Sequence, residues 1–263
     1  MTQLVLSLFP GIGLLDMAFE LEGFCVVRGP DLLWGGDIRT FHPPAGKFDG
    51  VIGGPPCQAF SRLRHIVEAN GYQIAPDLIP EFERVVGETQ PTWFLMENVP
   101  AAPKPVVQNY WVVQSNVNDV SVGGLTSRLR RFSWGIREGN VTWTAQRFAV
   151  QDLALWNPEP EHSALAHGGG RPVPVALVQD KNGGHRTKKS ALKNYGYTTR
   201  TALIEHRRKQ GLPADFLDDA PFTVTGKIAA IGNGVPLPMG RAVAKAVKRA
   251  LGIELATPGP VAA

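Results

Sequence analysis

The sequence predicts an α/β fold in which a doubly wound, mostly parallel sheet carries a second, smaller domain. Short apolar runs alternate with turns and helix-patterned segments through the first half of the chain, which is typical of a parallel sheet covered on both faces. From about residue 139 to 214 the periodicity weakens, and glycine and basic residues become frequent before a helical pattern returns. We therefore expect a large domain formed by residues 1–138 and completed by 215–263, with a small domain at 139–214.

Four short apolar runs predict the strands of the sheet, because their length and composition suit strands that are buried on both faces. They are Leu4–Phe9, Cys25–Val27, Gly50–Ile52 and Trp93–Met96. Helical spacing follows the first strand at Leu14–Leu21 and recurs at Leu78–Val86, where apolar residues share one side. Near the end of the chain, Val243, Val247 and Leu251 lie four residues apart, which predicts a closing helix.

The composition is that of an ordinary globular protein of 263 residues, with 43% hydrophobic and 19% charged residues. A formal net charge of +4 is compatible with a polyanionic partner without requiring one. No apolar run approaches the roughly 20 residues of a membrane span, and two cysteines are too few for a disulfide framework or a cysteine-rich zinc site. We expect a monomer in the cytoplasm of a bacterial or viral-host cell, with no membrane partner and no metal.

A glycine-containing turn follows the first predicted strand. Gly11, Ile12 and Gly13 would let the backbone approach a ligand, and the N-terminus of the next helix would favour a carboxylate or phosphate. After the second strand, Asp31 is placed to bind the ribose hydroxyls of an adenosine-containing cofactor, and Asp37 to accept from an adenine amino group. Taken singly, the turn is equally compatible with a structural tight turn, and each acid with a solvated loop residue.

The most informative stretch is Gly53–Ser61, where Pro55 and Pro56 stiffen the backbone directly before Cys57. Polar, turn-forming neighbours predict an exposed thiol, and a nearby helix N-terminus would lower its pKa. Cys25, within an apolar run, is interpreted as a buried core residue.

The Pro-Pro-Cys-Gln string resembles the nucleophile motif of the cytosine carbon-5 DNA methyltransferases, and six further segments resemble that family's motifs in the same order. The complete set is Phe9–Gly13, Pro55–Gln58, Asp77–Phe82, Glu97–Val99, Arg128–Arg130, Gln210–Pro213 and Gly232–Pro236. The resemblance covers residues 4–136 and 199–251. Three positions depart from it: Ser7 replaces the usual acid, Leu14 a common glycine, and Thr126 the glutamine before the paired arginines.

The resemblance implies a methyltransferase Rossmann-like fold and transfer of a methyl group from S-adenosylmethionine to carbon 5 of cytosine. Cys57 would attack carbon 6 of the ring, Glu97 would grip the base, Arg130 would hold the ring carbonyl, and Arg128 would support that carbonyl or a phosphate. The cofactor would be bound by residues of the matched motifs together with three residues that follow the second strand. The first group is Phe9, Gly11, Ile12, Gly13, Pro56, Leu78, Asn233 and Val235, and the second is Asp31, Asp37 and Ile38.

The implied partner is double-stranded DNA, and the target cytosine must be flipped out of the duplex to react. Gln58, Ser61 and Arg62 would contact the DNA from a loop that closes over the base. Sequence choice would fall to the insert at about residues 139–198 of the small target-recognition domain. Within it, Lys188 and Lys189 belong to a basic run suited to phosphates.

Three other functions stay open at this point. An RNA cytosine methyltransferase would share the Pro-Pro-Cys-Gln motif, and a catalytically silent DNA-binding relative would share the fold. A nicotinamide-dependent oxidoreductase would explain the glycine turn but would leave Pro55–Gln58 unexplained. A restriction–modification pair, a virus and a lone regulatory system are all compatible with the sequence.

Overall fold

The computed structural model describes residues 2–57, 60, 75–139, 148, 150, 178–179, 185–186 and 199–253. Its centre is a six-stranded sheet in the order β2-β1-β3-β4-β6-β5. The strands are β1 (Leu4–Leu8), β2 (Cys25–Arg28), β3 (Gly50–Gly53), β4 (Trp93–Asn98), β5 (Tyr110–Asn118) and β6 (Leu129–Arg137). The first four are parallel, and β6 runs antiparallel to both β4 and β5. The predicted α/β fold with a mostly parallel sheet is confirmed.

Helices cover both faces of this sheet. On one face, α1 (Leu14–Leu21) packs beside the C-terminal helix α5 (Leu237–Ala250), and Phe19, Trp93 and Val243 belong to the core between them and the strands. On the other face, α2 (Ile79–Thr89) buries Phe82 against the sheet. Burial of these apolar faces is the main free-energy gain that fixes the helices on the sheet.

The second predicted strand differs from expectation. β2 lies at the edge of the sheet and pairs only with β1 among the described strands, so most of its side chains are exposed. Cys25 is exposed, and its interpretation as a core residue was wrong. An apolar run indicates a strand, but the position of that strand in the sheet depends on long-range pairing.

Within residues 199–253 the structure describes three helices, namely α3 (Thr199–Lys209), α4 (Val224–Asn233) and α5. Leu203 and Leu212 pack with Ile231 of α4 and Leu14 of α1 in one core cluster. Leu203 and Leu212, which the sequence assigned to the small domain, therefore pack against α1 and α4. Within the small domain's predicted range, a two-residue ladder of β7 (Val178–Gln179) and β8 (His185–Arg186) is described, and most of the remainder up to residue 198 lies outside the described residues.

Gln210 joins these helices to each other. Its buried side chain donates from Nε2 to the carbonyl of Ile231 at 2.7 Å, while its own carbonyl accepts from the N–H of Leu237 at 2.9 Å. The end of α4 and the start of α5 are thereby fixed over the glycine turn. Among the helices of the described residues, none is long and apolar enough to cross a membrane.

Candidate active site

A cavity of about 500 Å³, here called the main cavity, opens at the carboxyl ends of β1, β3 and β4. Three of the four predicted catalytic residues line it, namely Cys57, Glu97 and Arg130. Nine predicted cofactor residues also line it: Phe9, Gly11, Ile12, Asp31, Asp37, Ile38, Pro56, Leu78 and Asn233. Parallel strands end at one edge of a sheet, and this is why residues so distant in sequence meet there.

Two predicted cofactor residues lie just outside this wall. Val235 lines an adjoining cavity of about 160 Å³, which shares Gly11, Glu97 and Asn233 with the main one. Gly13 is the N-cap of α1, with a φ of 81°. The predicted DNA contacts Gln58, Ser61, Arg62, Lys188 and Lys189 lie outside the described residues.

Glycine is required in the turn between β1 and α1. Gly11 and Gly13 both have positive φ, and a Cβ at Gly13 would lie 2.7 Å from a guanidinium nitrogen of Arg28. The Gly11 N–H donates to Asp31 Oδ2 at 2.8 Å, and its carbonyl accepts from the Trp34 indole at 2.7 Å. The turn is therefore held from both sides by the segment after β2.

Beneath this turn, a buried carboxylate stands where Ser7 departs from the family pattern. The Ser7 hydroxyl donates to Asp16 Oδ1 at 2.5 Å, and Arg28 Nε lies 3.0 Å from Oδ2. Burial raises the pKa of Asp16, while the bond from Ser7 opposes that shift. Asp16, from the first turn of α1, thus places a buried carboxylate against Ser7 of β1.

The two predicted adenosine-binding acids already make local hydrogen bonds. Asp31 Oδ1 accepts from the N–H of Leu33 at 2.7 Å, in addition to the bond from Gly11. Asp37 accepts from the Arg39 guanidinium, with the shortest bond at 2.7 Å, and these hydrogen bonds lower the pKa of its carboxyl group. Each carboxylate oxygen has two acceptor sites, so both acids retain capacity for a ligand.

Cys57 follows β3 on the Pro-Pro segment and is half-buried. Burial raises the pKa of its thiol, the carboxylate of Glu97 raises it further, and the positive charges of Arg130 and Arg128 oppose both effects. The sequence predicted an exposed thiol whose pKa a nearby helix N-terminus would lower, whereas Cys57 is half-buried and its pKa is raised. Desolvation disfavours a thiolate, and local sequence does not reveal how deeply a side chain will be buried.

Glu97 and Arg130 form the polar side of the pocket around the thiol. Their side chains are 15% and 19% exposed, and Arg130 Nε lies 2.9 Å from Glu97 Oε1. A Cβ at Gly54 would lie 3.0 Å from Glu97 Oε2, so the glycine before the prolines leaves room for this carboxylate. The pair presents an acceptor and several donors beside the sulfur.

Asn98, for which the sequence indicated no separate role, holds the nucleophile loop. This buried amide donates from Nδ2 to the carbonyl of Pro55 at 3.2 Å and accepts from the N–H of Val99 at 2.8 Å. Phe222 and Arg39 also line the main cavity without having been predicted. The ring of Phe222 lies 5.7 Å from that of Trp34, a contact between segments almost 190 residues apart that no local pattern signals.

Arg128 is placed differently from its predicted role. Its buried guanidinium donates to the carbonyl of Gly232 at 2.8 Å and to that of Asn233 at 3.2 Å, and it is not part of the main cavity wall. Burial and the nearby charge of Arg130 lower the pKa of Arg128 to about 9. With these bonds Arg128 joins β6 to the end of α4, and its contact with a ring carbonyl or phosphate remains a prediction.

Several known proteins are similar to this chain in sequence. A family model described as C-5 cytosine-specific DNA methylase matches residues 35–117, a range that includes Cys57 and Glu97. The Type II methyltransferase M.NgoPII of Neisseria gonorrhoeae is 26% identical over 333 residues, which covers 94% of this chain and 96% of that protein. M.FnuDI of Fusobacterium nucleatum is 36% identical over 114 residues, or 36% of this chain and 32% of that protein.

Solved structures share the fold at low sequence identity. The Entamoeba histolytica methyltransferase EhMeth superposes with a TM-score of 0.59 and 13% identity, covering 95% of this chain and 99% of that one. The S. pombe Dnmt2 methyltransferase gives a TM-score of 0.56 at 12% identity, with 95% and 99% covered. The family match over residues 35–117 and the Type II methyltransferase relatives support the family of C-5 cytosine-specific DNA methylases for this chain, and the solved structures show that it shares the methyltransferase fold.

Proposed function

We propose that this chain transfers a methyl group from S-adenosylmethionine to carbon 5 of a cytosine in double-stranded DNA, with Cys57 as covalent nucleophile. The observation that carries the proposal is the convergence of a thiol, a carboxylate and a guanidinium in one cavity with groups suited to adenosine. The Type II relatives named above support DNA as the substrate and a restriction–modification setting.

The residues of the main cavity fit the cofactor that the family and fold imply. Phe9 offers an aromatic face, Asp31 and Asp37 offer acceptors for ribose hydroxyls and an adenine amino group, and Asn233 faces them from α4. The N-terminus of α1 suits the carboxylate of the amino-acid end. When bound, S-adenosylmethionine would supply an electrophilic methyl group on its sulfonium.

Cys57 would make carbon 5 nucleophilic. The thiolate forms a bond to carbon 6 of cytosine, and the electron pair of the ring double bond becomes available at carbon 5 for attack on the methyl group. Loss of the carbon-5 proton to water or another base then restores the double bond, as the bond from carbon 6 to Cys57 breaks and the thiolate departs. Because burial raises the pKa of this thiol, its ionisation requires help from the surrounding charges.

Glu97 and Arg130 would provide that help together with the base. A proton shared between Glu97 and ring nitrogen 3 neutralises the carboxylate, which removes one cause of the raised pKa of Cys57. Arg130, within 2.9 Å of Glu97, would hold the ring carbonyl and stabilise the developing negative charge. We assign Arg128 as a positioning residue, because its guanidinium fixes the backbone of Gly232 and Asn233 beside the cofactor wall.

The DNA contacts complete the proposal. The target base would be flipped into the main cavity, at a cost of a few kcal/mol, with Gln58, Ser61 and Arg62 closing over it. Target recognition would fall to the domain within residues 139–198, where Lys188 and Lys189 would contact phosphates. We propose residues 199–253 as part of the large domain, in keeping with their packing on α1.

Transfer of labelled methyl groups to separate DNA and RNA pools, followed by location of the modified base, tests this function. We expect incorporation into double-stranded DNA at carbon 5 of cytosine. Incorporation into RNA alone would establish the RNA methyltransferase instead. DNA binding without transfer to any substrate would identify a silent relative.

A further inference from the structure

A second polar surface lies at the carboxyl end of β4, on the face of the sheet opposite Glu97 and Arg130. Successive residues of a strand point to opposite faces, so Arg131 projects to the α2 side where Arg130 projects to the other. In register, Arg131 pairs with Asn98, the last residue of β4. The side chain of Arg131 therefore lies at the edge where the nucleophile loop and the main cavity meet.

Arg131 carries a positive charge without a carboxylate partner among the residues that the structure describes. Its Nε donates to Asn116 Oδ1 at 3.1 Å and its Nη1 to the carbonyl of Ala102 at 3.2 Å, both neutral acceptors. A guanidinium has five N–H donors, so several remain for a ligand. Because both acceptors are neutral, they do not offset the positive charge of Arg131, and its guanidinium can form a charge-assisted hydrogen bond with an incoming anion.

Lys104 adds a second cation to the same edge. It lies in the β4–β5 connection between Pro103 and Pro105, and its side chain is exposed. The connection is anchored on each side of Lys104, because Ala102 accepts from Arg131 and the N–H of Val106 donates to Glu83 Oε1 at 2.7 Å. Proline on both sides restricts the backbone further, so the lysine is presented from an ordered segment.

Neutral hydrogen-bonding groups extend this surface along β5. Asn116 and Gln114 are exposed, and Gln114 Nε2 donates to the Ser133 hydroxyl at 3.1 Å. Two cations flanked by amides make a surface of the kind that contacts DNA phosphates. Such contacts position a protein on DNA without reading its sequence. We call Lys104, Gln114, Asn116 and Arg131 the basic edge.

We propose that the basic edge binds the phosphate backbone of the duplex beside the flipped cytosine. The inference rests on the proposed function, because a base that enters the main cavity brings its flanking phosphates to the rim of that cavity. Arg131 and Lys104 would each neutralise one phosphate, on the side of the sheet opposite the catalytic pair. Lys104 and Arg131 were not among the DNA contacts predicted from sequence.

The test measures binding of a mixed-sequence fluorescent duplex by anisotropy across a series of salt concentrations. Arg131→Gln and Lys104→Gln should each weaken binding by about 3- to 10-fold near physiological salt and reduce the log–log salt slope by about one. At saturating DNA, kcat should be unchanged while KM for DNA rises.

Arg137 provides the matched control. It lies on the same strand and face as Arg131, about 20 Å away at the amino end of the sheet, and is similarly half-buried, with Nη1 donating to the carbonyl of Gln90 at 3.0 Å. Arg137→Gln should leave affinity and slope unchanged. Equal losses in all three variants would indicate a general charge effect and overturn the proposal.

Lys104→Gln keeps the proposal testable if Arg131→Gln does not fold. The Lys104 side chain is exposed, and none of the hydrogen bonds that the structure describes for the β4–β5 connection involves it. Unchanged affinity and slope in a folded Lys104→Gln and Arg131→Gln would refute the basic edge and leave the proposed function intact. A wild-type protein that neither binds nor methylates the duplex would refute the proposed function itself.

Discussion

Arg128 and Arg130 are two residues apart, yet Arg128 bonds to the backbone of α4 while Arg130 borders the main cavity. Replacing each by methionine should therefore separate an effect on stability from an effect on catalysis. Arg128→Met removes two hydrogen bonds from a guanidinium to the carbonyls of Gly232 and Asn233, at 2.8 and 3.2 Å. Such charge-assisted bonds contribute about 1.5–3 kcal/mol each, and part of this is offset because the buried charge is removed as well. We expect the free energy of unfolding to fall by about 3 kcal/mol, with a decrease in Tm of about 6–12 °C.

Arg130→Met should show the opposite pattern. Its ion pair with Glu97 borders the main cavity, so its loss should cost about 1–2 kcal/mol of stability or less while lowering kcat by at least about 100-fold. The assays are urea unfolding and methyl transfer, the latter well below each variant's Tm. A folded Arg128→Met with near-normal stability and a kcat as low as that of Arg130→Met would show that Arg128 touches the substrate.

Four other predictions test separate parts of the proposed function. Cys57→Ser should lower methyl transfer by orders of magnitude while DNA and cofactor binding are retained. The wild type, but not this variant, should form a denaturant-resistant adduct with 5-fluorocytosine DNA. Normal turnover by Cys57→Ser would refute the covalent mechanism. Alkylation of Cys57 should accelerate as pH rises, because the thiolate is the reactive form and burial and Glu97 raise the thiol pKa above its ordinary value near 9. Glu97→Gln should move the curve of alkylation rate against pH to lower pH, and Arg130→Gln should move it to higher pH. Site-resolved mass spectrometry follows this against the exposed Cys25 in the same sample, and a curve insensitive to both variants would contradict the charge coupling. Asp37→Ala should weaken binding of S-adenosylmethionine by about 10-fold in calorimetry if the adenine amino group bonds there, whereas an unchanged affinity would assign Asp37 only to its contact with Arg39. Neutralising Lys188 and Lys189 together should flatten the salt dependence of DNA binding, and an unaltered slope would mean that this basic run is a solvated loop.

The architecture and much of the site were predictable because they depend on patterns that the local sequence carries. Apolar runs of strand length alternating with helical spacing indicate a parallel sheet, and the carboxyl ends of parallel strands lie at one edge. The motifs after β1, β3 and β4 therefore had to meet, and Cys57 and Glu97 line the same cavity as a result. Reactive residues that lie at the ends of parallel strands can therefore be predicted from the sequence.

The features that sequence did not reveal all depend on contacts between distant segments. Cys25 is exposed because β2 occupies an edge of the sheet, and sheet order is set by pairing rather than by the composition of one strand. Arg128 bonds to carbonyls more than 100 residues away, so its likeness to Arg130 in sequence concealed a different role. Ser7 of β1 and Asp16 of α1 meet as a buried hydrogen-bonded pair, and the pKa of Cys57 follows the depth of its burial. Sequence determined which reactive groups the chain possesses, and tertiary packing alone decided which of them are buried, paired and charged, because desolvation and Coulomb interactions depend on distance in space rather than along the chain.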